Sequence, residues 1–349
     1  MEDNLLPQHN GACIHCKANE GLPGFPMHLC TECRTALNRY PIPKWIWAFT
    51  AVIIILMIAG LVRIPGYLDA SIHLRRAEKA NKQHKYITAK KEATIVLKHF
   101  PDLLEANAYS VIASCYTRDM ENIQTTYGKL ENKGIEDKEL YNEITVALDF
   151  VQQALPIDTA LIKRTASMIN APLPAQEHFM DSLDAGVRET DRALFGLILA
   201  NHLYEKEEYK TCTAILNKIR AFSPENYSAV LLLIAVKRNT ADYKAALTLI
   251  DSMLTTNPED VIVISQKAKV LLKMKQDKEA AALAQQAMLL APANTASLEA
   301  QALVYYLTGK KQQSNKLLTD IRARESATDG DSSISDRLAK VLDGTVSYR

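Results

Sequence analysis

The chain has 349 residues, room for two or three domains. Its 41 basic and 40 acidic residues leave a formal net charge of +1, so bulk charge gives no ground to expect a nucleic-acid binder. Aromatics at 7% and only twelve glycines, among abundant Ala, Leu, Ile and Lys, favour helices over a β-sandwich or barrel, and the starting expectation is an all-α chain.

Residues 1–40 hold four of the six cysteines, as Cys13-x2-Cys16 and, thirteen residues on, Cys30-x2-Cys33. Each knuckle offers two thiolates from one tight turn, and the two together offer the sulfur tetrahedron that Zn²⁺ accepts in a closed structural site. A segment this short has little core of its own, so metal binding would supply most of its folding free energy. Over residues 11–35 it resembles a short zinc ribbon, which implies structural Zn²⁺ on Cys13, Cys16, Cys30 and Cys33. Two disulfides in an oxidising compartment, or a redox-active CxxC, are the rival readings, although no βαβ pattern surrounds either pair. His9, His15 and His28 read as bystanders because four thiolates already fill the shell. Four Cys and three His fall short of the eight ligands of a RING domain, and a filled shell leaves no open position for catalytic water.

Next comes "WIWAFTAVIIILMIAGLV", eighteen residues from Trp45 to Val62 without a charged side chain. As a helix it would be about 27 Å long, near the thickness of a bilayer core, and residues 45–64 are read as one transmembrane helix. Tyr40, Trp45, Trp47 and Tyr67 suit the two interfaces, and Lys44 and Arg63 suit snorkelling anchors. Pro41 and Pro43 before the run, and Pro65-Gly66 after it, read as punctuation at its ends. The alternative of a buried core helix is disfavoured by a run that is apolar on every face. A signal peptide would start nearer Met1, be shorter, and end in a small-x-small site.

The rest of the chain is repetitive. In residues 68–102, Tyr86, Ala89, Ala93, Val96 and Pro101 fall in a register that is clearest farther on. Residues 103–192 read as degenerate helical repeats, among them "DKELYNEITVALDFVQQAL" ending at Pro156, where the period fades. From 193 to 328 four blocks of thirty-four residues align: Pro224, Pro258 and Pro292 are one period apart, as are Tyr209 and Tyr243. Each block is two amphipathic helices joined by a polar turn. Ser333-x-x-Asp336 then opens a capping helix within 332–344, with Ile334, Leu338, Val341 and Leu342 on one face and Gly344 closing it.

These blocks resemble the tetratricopeptide repeat (TPR). Its small first-helix residue falls on Ala200, Ile234, Ala268 and Ala302, with Ile234 the departure. Its small second-helix residue falls on Cys212, Ala246, Ala280 and Ser314. The later apolar pairs are Leu216 and Ile219, Ile250 and Met253, Ala284 and Ala287, and Leu318 and Ile321. The family's early bulky aromatic is missing throughout, so the copies are divergent. The resemblance implies a helical solenoid whose first helices line a groove for a peptide or partner helix. Carried over position by position, the groove side chains are Asn201, Tyr204, Arg238, Lys269, Lys273 and Tyr306; for each, an ordinary solvated or packed role is the alternative. The family's Lys/Asn carboxylate clamp is not present in full.

Cys115 and Cys212 read as small core residues, with a disulfide between them left open. No GxSxG, HExxH or GxGxxG occurs, and "TGKKQQS" fails as a phosphate loop because its first glycine would have to be Val304. Binding is therefore favoured over catalysis. Two functional readings stand: a single-pass membrane-tethered TPR scaffold for protein or peptide ligands, or a regulator whose zinc module contacts nucleic acid or an enzyme while the repeats sense or stabilise. Lys17, Arg34, Arg39 and Phe25 are meagre for nucleic acid. Basic residues nearly balance across the span, but thiolates must stay reduced to hold zinc. That favours a cytoplasmic N-terminus and extracytoplasmic repeats at a plasma or inner membrane. Nothing in the residues sets an oligomeric state.

Overall fold

The computed structural model describes residues 11–38, 43–131, 133–152, 163, 167–169, 171–182, 189–327 and 333–349. His9, Arg39, Tyr40, Pro41 and Pro156 lie outside the described residues, as do the side chains of Val62 and Arg63. Two compact units result, Met1–Leu68 and Asp69–Arg349.

In the first unit, a loop carrying one antiparallel bridge between Ala12 and Glu20 leads into helix α1, Thr31–Asn38. Helix α2, Lys44–Lys82, follows and continues into the second unit. Among the described residues it is the one helix long and apolar enough to cross a membrane, and none of its most apolar stretch is buried inside the chain. Trp45 is 67% exposed and Leu56 66%, so within this chain nothing packs over its apolar faces at these positions. Contrary to the sequence expectation, Pro65-Gly66 does not end the helix: Pro65 lies inside it. Proline removes one i→i−4 hydrogen bond, but the following "DASIHLRRAEKANK" is rich in strong helix formers that carry the helix on.

The second unit is helical throughout its described residues. Helices α3 (Tyr86–His99), α4 (Leu104–Thr117), α5 (Met120–Leu130), α6 (Lys138–Gln152) and α7 (Leu173–Ser182) come first. Four pairs follow: α8 (Glu189–Glu205) with α9 (Tyr209–Phe222), and α10 (Tyr227–Asn239) with α11 (Tyr243–Thr256). Then come α12 (Val261–Lys273) with α13 (Asp277–Leu290), and α14 (Thr295–Leu307) with α15 (Lys311–Ala327). Helix α16 (Ser333–Leu342) closes the series.

The thirty-four-residue period reappears in the backbone itself. Each pair turns on a left-handed residue, Glu207, Ala241, Lys275 and Gly309, one period apart. Asn226, Asp260 and Asn294, also one period apart, cap the next first helix by accepting from its amides. Packing follows the same register. Ala200, Ile234, Ala268 and Ala302 are fully buried, and so are Cys212, Ala246, Ala280 and Ser314, so the two helices of a pair meet at small side chains. At the departure, Ile234 fills space beside Ala246 and Ile250.

Within residues 103–192, read from sequence as degenerate helical repeats, one further copy keeps the register. His84 and Arg118 are likewise left-handed and one period apart, so α4 and α5 repeat the turn made by the end of α2 with α3. The signal faded because the residue one period after Ala89 is the larger Ile123, not another small one. These early helices also meet a distant one: the main-chain N–H and hydroxyl of Thr88 donate to the two carboxylate oxygens of Glu259, at 2.8 and 2.6 Å. At the other end, Leu338 of α16 is buried, and Ile334, Val341 and Leu342 pack on the cluster holding Leu303 and Leu318.

Candidate functional site

The four N-terminal cysteines come together. Their sulfurs all lie within 4.8 Å of one another, and Cys16 Sγ is 3.8 Å from Cys30 Sγ. A tetrahedron with Zn–S bonds of about 2.3 Å has edges of about 3.8 Å. The fold achieves this locally. Lys17 turns left-handed after the first knuckle, and the Cys13 N–H donates to the Asn19 carbonyl at 2.7 Å. The Ile14 N–H donates to His28 at 2.9 Å, tying the two knuckles. Gly21 permits that approach, since a Cβ there would meet His28 at 3.0 Å. Helix α1 begins directly after Cys30, placing Cys33 in its first turn. The apolar company is slight: Leu29 and Leu37 are what packs with the cysteines.

The electrostatics suit a cation. Amide hydrogen bonds from Cys16 and Cys30 pull the Cys13 thiol down to about 6, and those of Ala18 and Asn19 lower Cys16. The Cys30 sulfur beside it pushes Cys33 up to about 12, because a further negative charge is unwelcome until something positive sits among the four. Four convergent thiols, all within 4.8 Å of one another, fit the thiolate set that Zn²⁺ takes in closed structural sites. His15 Nδ1 stands 3.6 Å from Cys33 Sγ, at the edge of the set. No disulfide is formed here: all six cysteines are free.

Farther along, the first helices of successive pairs are stitched side chain to side chain. From α10, Asn239 donates to the hydroxyls of Tyr204 and Tyr209 at 3.0 and 3.2 Å, and Arg238 donates to Gln266 of α12 at 2.5 Å. From α12, Lys269 donates to Glu299 of α14 at 2.7 Å. Arg238 and Lys269 are both buried. Burial opposes the Arg238 charge, but Tyr348, Tyr204 and Glu299 hold it. Burial lowers Lys269 and Lys273. It would raise Glu299, yet Lys269 and then Arg238 outweigh it and keep the carboxylate ionised.

Of the six groove residues named from sequence, Tyr204, Arg238, Lys269 and Lys273 share this neighbourhood. Asn201 is exposed and Tyr306 half-buried. Gln266, Asn239 and Glu299 were missed. Glu299 stands one period after Ser265, so repeat alignment does not flag it. Cys115 and Cys212 lie in separate core clusters, each thiol pushed up to about 11 by burial, hence protonated and inert.

A family described as ChAPs (Chs5p-Arf1p-binding proteins) matches residues 195–320, just over a third of the chain. No curated protein matches the chain significantly. Among solved structures, MamA is 13% identical, with 50% of this chain and 99% of that one covered at a TM-score of 0.36. YrrB, described as a TPR protein with an unusual peptide-binding site, is 13% identical, covering 71% and 97% at 0.29. The TPR2AB domain of yeast Sti1, in a complex with pHSP90, is 12% identical, covering 78% and 98% at 0.28. Identities and scores this low leave the assignment to the chain's own thirty-four-residue helix pairs, which make it a TPR-like helical repeat protein.

Proposed function

We propose that this chain is a single-pass, membrane-anchored TPR-type adaptor that gathers protein or peptide ligands and carries a structural zinc site on its N-terminal segment. The observation that carries it is the shared polar and aromatic face on which α8, α10 and α12 present Tyr204, Arg238, Lys269 and Lys273. Stacked helix pairs take their ligands on the first-helix side. The match to a family whose description is of protein-binding proteins supports the same class.

The exposed apolar stretch of α2 supports the anchor, with residues 45–64 as the span. The convergent sulfurs support the metal, which would hold the two knuckles together as a closed structural site. Reduced thiolates favour a cytoplasmic N-terminus at a plasma or inner membrane, with the repeats outside. The rival regulator reading needs basic and aromatic groups offered by the zinc module. There the Arg34 guanidinium lies 3.4 Å over the Phe25 ring, so the two engage each other.

A photo-crosslinking amino acid at exposed position 201 of the full chain, in its membrane, tests the adaptor reading. Discrete protein adducts that vanish with Lys273→Glu are expected; the absence of adducts sinks it. Membrane-impermeant labelling of single surface cysteines, introduced before and after residues 45–64 in sealed vesicles, tests the orientation.

A further inference from the structure

After α16 the backbone reverses at Gly344, where φ is +84°. The Val346 N–H donates to the Lys340 carbonyl at 2.8 Å and fixes the reversal. Residues 345–349 then lie back on the groove face. Tyr348 donates its hydroxyl to the Lys269 carbonyl at 2.9 Å, and Lys273 Nζ stands 4.8 Å from the centre of its ring. Arg349 Nε donates to the Leu272 carbonyl at 3.1 Å, at the C-terminal end of α12 where cations are favoured, and its guanidinium also pairs with Asp277. Two of the residues this segment meets, Lys269 through its main-chain carbonyl and Lys273 through its ammonium, are groove residues that the repeat register had already singled out.

We infer that residues 345–349 fill the peptide seat in cis, and that the ligand they stand in for is a peptide presenting a tyrosine beside an acidic residue. The inference rests on the adaptor reading and adds the ligand's chemistry and its competitor. Tyrosine is specified by the seat: a main-chain carbonyl for the hydroxyl, a cation over the ring, and an apolar flank on the core cluster of α12 and α14. The acid is specified by charge. Arg238 and Lys273 stand about the phenol, and Arg238, Lys269 and Arg337 about Glu299, the carboxylate that Lys269 already engages. Residues 345–349 bring no acidic side chain to them; their own charged side chain is Arg349, which turns to Asp277. A ligand that supplies the missing charge outcompetes it.

The probes are fluorescent peptides of residues 343–349, DGTVSYR, in three forms: as written, with Ser347→Glu, and with Tyr348→Ala. The proteins are the full chain, the full chain with Tyr348→Ala, and a chain ending at Leu342, all in detergent, with thermal unfolding recorded for each. A tethered occupant acts at an effective concentration of order millimolar. The unaltered peptide is therefore expected to bind the shortened and Tyr348→Ala chains at least about tenfold more tightly than the full chain. The Ser347→Glu peptide should bind more tightly again, and the Tyr348→Ala peptide not at all. Equal binding to all three proteins, or no binding to a Tyr348→Ala chain that melts normally, overturns the inference. If the peptides fail while adducts at position 201 persist, the cis occupant is lost and the adaptor reading stands; if the adducts vanish as well, both go.

Discussion

Ser314 of α15 donates its hydroxyl to the main-chain carbonyl of Ala302 in α14 at 2.8 Å. Three periods earlier Cys212 holds the equivalent position, and its thiol donates to the Ala200 carbonyl at 3.2 Å. One register position is thus filled by a small residue that either hydrogen-bonds its partner helix or, as Ala246 and Ala280, merely stays out of its way. Cys212→Ser should keep the bond and change stability by less than ~1 kcal/mol. Ala280→Leu, overfilling a site with no exposure, should cost ~1–3 kcal/mol. Urea denaturation of the two variants measures both.

Lys269 and Glu299 form a buried pair at 2.7 Å, with side-chain exposures of 6% and 18%. Removing one partner strands the other in low dielectric. Glu299→Gln should therefore destabilise by ~3–5 kcal/mol, while the double replacement Lys269→Met with Glu299→Leu should recover most of the loss. A double-mutant cycle by thermal or urea unfolding reads the coupling.

Glu259 holds Thr88 through both carboxylate oxygens. Bonds to an ionised acceptor contribute more than neutral ones, so Glu259→Ala should cost ~1.5–3 kcal/mol. Thr88→Val, which keeps the main-chain bond, should cost less. Hydrogen exchange should show the loss in α3 first.

For the sulfur cluster, one zinc per chain is expected by elemental analysis, falling to none with Cys16→Ser. Each ligand must shed its proton to bind metal, so acidification opposes binding and a fall in pH should release zinc. In the absence of metal the neighbouring Cys30 sulfur pushes the Cys33 thiol up to about 12, so Cys33 holds its proton. Chelation should unfold residues 11–38, where the sulfurs are most of the core, and leave the unfolding of residues 69–349 unchanged.

Ile55, 64% exposed in the apolar stretch of α2, tests the anchor. Ile55→Arg should disfavour insertion by ~2.5–3.5 kcal/mol. Carbonate extraction of membranes should move a measurable fraction of that variant into the soluble phase while the wild-type chain stays with lipid.

What the sequence disclosed and what it withheld follow from range. Pro224, Pro258 and Pro292 reveal the period because each acts within its own turn, and the small residues at 200, 212, 268 and 280 reveal the helix contact because it recurs. The CxxC pairs converge across a short span, with Cys13 and Cys30 only seventeen positions apart. The repeat of α4 and α5 read only as degenerate because Ile123 stands where the register calls for a small residue. Pro65 misled because a local helix-breaking preference was outweighed by the helix formers that follow it. The partners of the groove residues could not be read at all. Gln266 and Glu299 sit twenty-eight and thirty residues from Arg238 and Lys269, and Tyr348 reaches Lys269 across seventy-nine. Such pairings depend on how the stack curves.

The bond between Thr88 and Glu259 changes what kind of polymer the repeats are. A solenoid whose units touch only adjacent units behaves as a one-dimensional array, free to fray from either end and to populate partly melted species. A strut joining α3 to the turn before α12 closes a loop of 171 residues, so the early helices cannot peel away without also giving up their hold on the later ones. The barrier to nucleating that closure is entropic and slows folding. The return is a sharper, more all-or-none melting transition than a string of independent units would show.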